Sequence, residues 1–197
     1  MRITISIILL LIIIFYINRI NGNDNEHDKL YLYIFNIISL LFTIIFLYFS
    51  LSFGFKFGIF NTILIWCLFV VATPIPEAGL LVSVPLKRIL GINLDITQWF
   101  VSMFAMCFLF YAYYNFKKCL SKTTHGNILL RIIHFGFFGI FISSILGSVT
   151  MAYLINEYVD GILYKKDLNY STNVFIFILF CLSVIYYFYI LAKLPKL

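Results

Sequence analysis

The chain has 197 residues, 63% of them hydrophobic and 11% charged, with a net charge of +6 and a mean hydropathy of +1.03. Soluble domains carry about 45–50% apolar and about 25% charged residues, so a water-soluble globule is excluded as the main body. The basic excess flanks apolar stretches, which fits contact with lipid headgroups; no nucleic-acid partner is expected.

Residues 3–17 form the first apolar stretch, behind a lone Arg2. A basic start before a short apolar run reads as a secretory signal peptide or a retained signal anchor over residues 1–22. Its exit, Asn18-Arg19-Ile20-Asn21-Gly22, lacks the usual small-residue pair, so both readings stay open. Either one leaves residues 23–197 as one helical membrane domain. Further spans are predicted at about 30–51, 57–75, 98–116, 127–155 and 172–192, each near or above the ~20 apolar residues that cross a bilayer. The stretch 127–155 is longer than needed, which predicts tilt or an end frayed into the interface. The blocks are apolar on all sides and lack the alternation of a membrane barrel. The expected fold is therefore all-α: a polytopic transmembrane helical bundle of six spans, or five if the first is cleaved.

Between the spans, every acid falls in alternate gaps. Asp24, Glu26 and Asp28 share one, Glu77 and Asp95 the next of that parity, and Glu157, Asp160 and Asp167 the third. A chain threaded repeatedly through a bilayer gives a reason for such sorting. With both termini cytoplasmic, the inner side holds Arg2, Lys56, Lys117, Lys118, Lys122, Arg131, Lys193 and Lys196, and the outer side Arg19, Lys29, Lys87, Arg88, Lys165 and Lys166. The cluster Lys117, Lys118 and Lys122, in a short loop, is the strongest single vote for that orientation. Removal of the first span would leave the mature N-terminus external. A plasma or inner membrane is the expected location. Tyr31, Tyr33, Trp99, Tyr111, Tyr113, Tyr114, Tyr186, Tyr187 and Tyr189 lie near span ends, as interfacial belts do.

The gap after the third span is the least ordinary segment. Pro74, Pro76 and Pro85 fall within it, and Gly79 and Gly91 bracket an apolar run too short to span. Pro85 is expected to interrupt that run as a helix. The expected result is a Pro-broken interfacial or re-entrant segment. Broken apolar segments of this kind line solute or ion sites in transporters, because their freed backbone groups face a cavity. Such a site would use Glu77 for a cation or proton and Lys87 and Arg88 for an anionic group. The bland alternative is an interfacial loop that stops the third span.

The fifth span carries small residues every fourth position: Gly139, Ser143 and Gly147, with Ser144, Ser148 and Ala152 as a second row. Small residues at this spacing let helices approach closely in lipid. They predict a packing seam, within the chain or in a homo- or hetero-oligomer. Arg131 is placed to snorkel to headgroups, and His134, a turn deeper, reads as a packing histidine or a proton relay.

Catalytic signatures are missing from the sequence. Cys67, Cys107, Cys119 and Cys181 are isolated, and His27, His125 and His134 do not repeat at metal-binding spacing, so neither a redox pair nor a metal or cofactor site is expected. Asn169-Tyr170-Ser171 is a formal glycosylation sequon. Two functions fit: a non-catalytic membrane subunit or assembly factor that binds through the seam, or a small transporter or channel with its site at Thr73–Arg88.

Overall fold

The computed structural model describes residues 26–134, 136, 138–164 and 170–193. The predicted first stretch, the Asn169 of the sequon, and Lys165, Lys166 and Lys196 lie outside them. Eight α-helices follow in order: α1 Glu26–Phe53, α2 Phe55–Ala72, α3 Leu80–Leu90, α4 Leu94–Asn115, α5 Lys117–Leu120, α6 Thr124–His134, α7 Phe138–Tyr164 and α8 Tyr170–Lys193. A 3₁₀ turn, Pro76–Gly79, joins α2 to α3. Five helices contain stretches long and apolar enough to cross a membrane: Phe35–Phe53, Phe55–Ala72, Leu94–Asn115, Phe138–Glu157 and Tyr170–Lys193. The chain is an all-α, multi-pass bundle of the integral membrane type.

The centre is built from α2, α4 and α7, with α6 closing one end. Leu64, Cys67 and Val71 of α2 meet Ala105 and Leu109 of α4, Leu129 of α6, and Ile140 and Phe141 of α7 in one cluster. Helices α1 and α8 flank it and are less buried along their spanning stretches. Their exposed side chains, Leu40, Leu41, Ile44 and Tyr48 on α1 and Phe175, Phe177, Leu182 and Ile185 on α8, are the kind that lipid covers.

Two contacts set the antiparallel register of α4 and α7. Asn156 Nδ2 donates to Asp95 Oδ1 across a long 3.4 Å, and the Phe110 and Phe138 rings stack at 5.9 Å. Phe60 of α2 lies 5.1 Å, ring to ring, from Phe116 just past α4. The bundle consequently has two unlike ends. Asp95 and Glu157 mark one, together with Lys87 on α3. Lys56, Lys117, Lys118, Lys122, Arg131 and Lys193 belong to the other. Asp95 and Glu157, the acids whose side chains are among the described residues, thus share one end.

Two sequence expectations need correction. The stretch 127–155 is not one tilted span but two helices, α6 and α7, parted at Gly136 (φ 70), whose N–H donates to Ile133 O at 3.2 Å. A left-handed residue ends a helix, and glycine takes that conformation without steric cost. Arg131 and His134 therefore sit on an 11-residue helix of about 16 Å, too short to span. Arg131 is half-buried and His134 exposed. Pro85, expected to interrupt its run, lies inside the continuous helix α3. Packing overrides propensity there: Leu80 and Val84 are buried with Phe35 of α1 and Leu94 of α4.

The turn into α6 is capped. Thr123 Oγ1 accepts from Gly126 N–H at 3.2 Å, and Asn127 Nδ2 donates to Ser121 O at 3.3 Å. Thr123→Ala is expected to cost about 1 kcal/mol through the lost cap, read as a lower Tm in detergent; an unchanged Tm would show that the cap adds nothing.

Candidate functional site

The site is built on the way α2 ends. In an α-helix the carbonyls of Val70 and Ala72 would accept from the backbone N–H groups four residues on. Those positions are Pro74 and Pro76, which have none. Thr73 turns extended (φ −122, ψ 131), as residues before proline do. Tyr187 of α8 supplies a substitute, donating from its hydroxyl to Ala72 O at 2.7 Å. Thr73 Oγ1 donates back to Phe69 O.

This hinge is not at the rim of the bundle. Pro74 and Pro76 are buried. A Cβ added to Gly147 would stand 2.9 Å from Pro74 Cβ, 3.2 Å from Pro74 O and 3.0 Å from Ser183 Oγ. Gly147 is nine residues from Asn156, so the hinge reaches about 13 Å inward along α7. From there the chain turns back through the 3₁₀ turn, where Gly79 lies so close to α4 that a Cβ would be 1.9 Å from Gln98 Oε1. At Gly79 (φ −67) glycine serves close approach rather than an unusual backbone conformation.

The faces around the hinge are polar and buried. Gln98 and Ser102, one turn apart on α4, are 1% and 0% exposed. Ser83, one turn on from Gly79 in α3, and Ser144 of α7 are equally buried. Gln98 Nε2 and the hydroxyls of Ser83, Ser102 and Ser144 have no hydrogen-bond partner among the protein groups. Ser148, by contrast, donates to Ile145 O at 3.0 Å, and Ser143 to Gly139 O at 2.7 Å. Helices normally satisfy serine this way, so the unpartnered serines stand out against neighbours in the same setting. A buried amide donor left without an acceptor costs about 1–3 kcal/mol. Towards the basic end the lining changes to Leu109, Ala112, Leu129 and Phe141, all fully buried. Buried polar groups are not confined to the acidic half: Ser50, 3% exposed and without a partner, and Asn61, 1% exposed, lie towards the basic end.

The candidates from sequence are distributed as follows. Glu77 belongs to the 3₁₀ turn and Arg88 to α3, but their side chains lie outside the described residues. Lys87 is half-buried on α3, at the same end as Asp95. His134 stands at the opposite end, away from the hinge. Gly139 faces Ile190 and Tyr186 of α8, Gly147 faces Pro74 and Ser183, and Ser143 is buried beside them. Gln98, Ser102 and Ser83 escaped the sequence reading. Gln98 opens an apolar stretch and looks like a solvated span edge; in the fold Gly79 of the 3₁₀ turn lies against it. No group of three or more His, Cys, Asp or Glu among the described residues could hold a metal ion. No family model, curated protein or solved structure matches the chain.

Proposed function

We propose that this chain is a small multi-pass membrane protein that binds a polar solute inside its bundle, as a transporter does. The observation that carries this is the Gln98 amide, 1% exposed and with no acceptor for Nε2, beside the broken segment after α2. Sites at discontinuous helices near the membrane interior are a recurring transporter design. The tightly buried core of Leu109, Leu129 and Phe141 between the helices favours alternating access over an open channel. In this reading Thr73–Arg88 forms one wall, Asp95 and Asn156 sit towards the acidic end of the polar stretch, and Glu77, Lys87 and Arg88 belong to its approach. A non-catalytic subunit role would have to use a face other than the Gly139/Gly147 row, because α8 and Pro74 already occupy it.

Gln98→Met tests the reading directly. Methionine keeps the volume and removes the stranded donor, so Tm should hold or rise. Solute permeation through proteoliposomes should fall at the same time. A loss of stability with unchanged permeation would make Gln98 a packing residue and remove the proposal's basis.

Orientation follows the charges: we place the basic end in the cytoplasm of a plasma or inner membrane. Reporters fused after Thr124 should read cytoplasmic, and those after Asn25 or Lys166 external. An external Thr124 would reverse the assignment.

A further inference from the structure

We infer that the basic end carries a binding surface for anionic phospholipid, made by α5, the turn after it and the outward stripe of α6. This stands apart from the interior-site reading and survives its failure. Helices α5 and α6 link the end of α4 at Asn115 to the start of α7 at Phe138, and neither is long enough to cross a bilayer, so both stay at the membrane surface. Helix α6 has two faces. Gly126, Leu129 and Ile132 are buried, the latter two in the central core. Thr124, Asn127, Arg131 and His134 follow one another at three- and four-residue steps on the opposite side.

Lys117, Lys118 and Lys122 are exposed. Lys117 Nζ stands 4.6 Å from the centre of the Tyr113 ring, which holds that lysine against the end of α4. Lys56 joins them: it lies one turn before Phe60 on α2, and the Phe60 ring packs 5.1 Å from that of Phe116. No carboxylate from the adjoining chain offsets this charge, since residues 46–76 and 99–156 include no Asp or Glu. Charge alone would suit any acidic partner, but the rings beside it select lipid. Tyr111 (56% exposed), Tyr114 (74%) and Phe116 (39%) come immediately before the lysines in the chain. Exposed rings giving way to exposed lysines within a few residues match an acyl chain below a phosphate headgroup, with the lysine stems along the first and their ammonium groups at the second. A soluble acidic protein would leave those rings unused. Each lysine near an anionic surface strengthens binding about fivefold.

The test titrates phosphatidylglycerol and, separately, phosphatidylcholine into the full chain in a neutral detergent, with bound lipid counted by native mass spectrometry. Phosphatidylglycerol should bind about tenfold more tightly than phosphatidylcholine, and Lys118→Gln combined with Lys122→Gln should weaken it roughly 25-fold. Lys118→Arg combined with Lys122→Arg should keep the wild-type affinity, which separates lost charge from lost folding. Lys193→Gln is the control: its ammonium group is held on Tyr189 of α8, at the same end but outside the surface, and lipid binding should not change. Glycerol phosphate should not compete, because it lacks the acyl chains. Equal affinity for the two lipids, unchanged binding in the glutamine variant, or weakening by Lys193→Gln as large as that variant's would overturn the inference. Displacement of the lipid by glycerol phosphate, or tighter binding of a polyglutamate peptide, would overturn it in favour of a soluble anionic partner.

Discussion

Gly126→Ala is expected to lower Tm sharply, although alanine is the better helix former. A Cβ at this position would lie 2.1 Å from Leu120 O, 2.6 Å from its Cα and 2.7 Å from its carbonyl carbon. All three are backbone atoms of the helix that precedes the turn, so none can rotate away. Relief requires separating α5 from α6, and α6 holds Leu129 and Ile132 in the central core. Overpacking of this kind costs about 1–3 kcal/mol. The propensity gain of about 1 kcal/mol offsets only part of it, because the clash is rigid. The net loss is put at about 2 kcal/mol on the same grounds. Gly139→Ala is the control: its Cβ would meet Ile190 Cδ1 at 2.4 Å, the free end of a rotatable side chain. Thermal unfolding in one detergent should separate the two variants clearly. Equal Tm values would mean that the α5–α6 turn is looser than described.

The contrast between those glycines also shows what the sequence can reveal. Long apolar blocks with acids in alternate gaps were enough to read an all-α, membrane-spanning bundle, because hydropathy and charge act over whole segments. Pro74 and Pro76 likewise mark the end of α2, since a missing N–H acts locally. What stayed hidden depends on partners distant in the chain. Phe135-Gly136-Phe137 reads as continued apolar sequence, and only the backbone turn at Gly136 divides α6 from α7. Pro85 looks like an interruption until the packing of Leu80 and Val84 is known. Gln98 opens an apolar stretch, and its burial involves Gly79, 19 residues earlier, brought against it. A seam of small residues says that something approaches closely, but not what; at Gly147 it is a proline from 73 residues earlier.

Gly147→Leu is the substitution expected to do most damage, because it acts on the hinge and the bundle together. Even a methyl group there would be 2.9 Å from Pro74 Cβ and 3.2 Å from Pro74 O. Pro74 has a fixed ring and a restricted backbone, so the extra atoms of leucine cannot be absorbed by a rotamer change. Ser183 Oγ, 3.0 Å away on α8, closes the remaining side. The helices must part, and with them goes the Tyr187 hydrogen bond to Ala72 O, leaving a carbonyl that Pro76 cannot satisfy. Overpacking plus a stranded, part-buried carbonyl together come to about 3 kcal/mol. A marginally stable bundle should then fail to accumulate in the membrane. Gly147→Ala separates folding from function. It adds only the Cβ, so protein should accumulate with a modestly lower Tm, yet Pro74 must shift by a few tenths of an ångström. That shift moves the 3₁₀ turn that carries Gly79 against Gln98, so Gln98-dependent permeation should drop while the protein remains in the membrane. Wild-type accumulation and Tm in the leucine variant would show that Pro74 does not rest on Gly147. Wild-type permeation in the alanine variant would uncouple the hinge from the site.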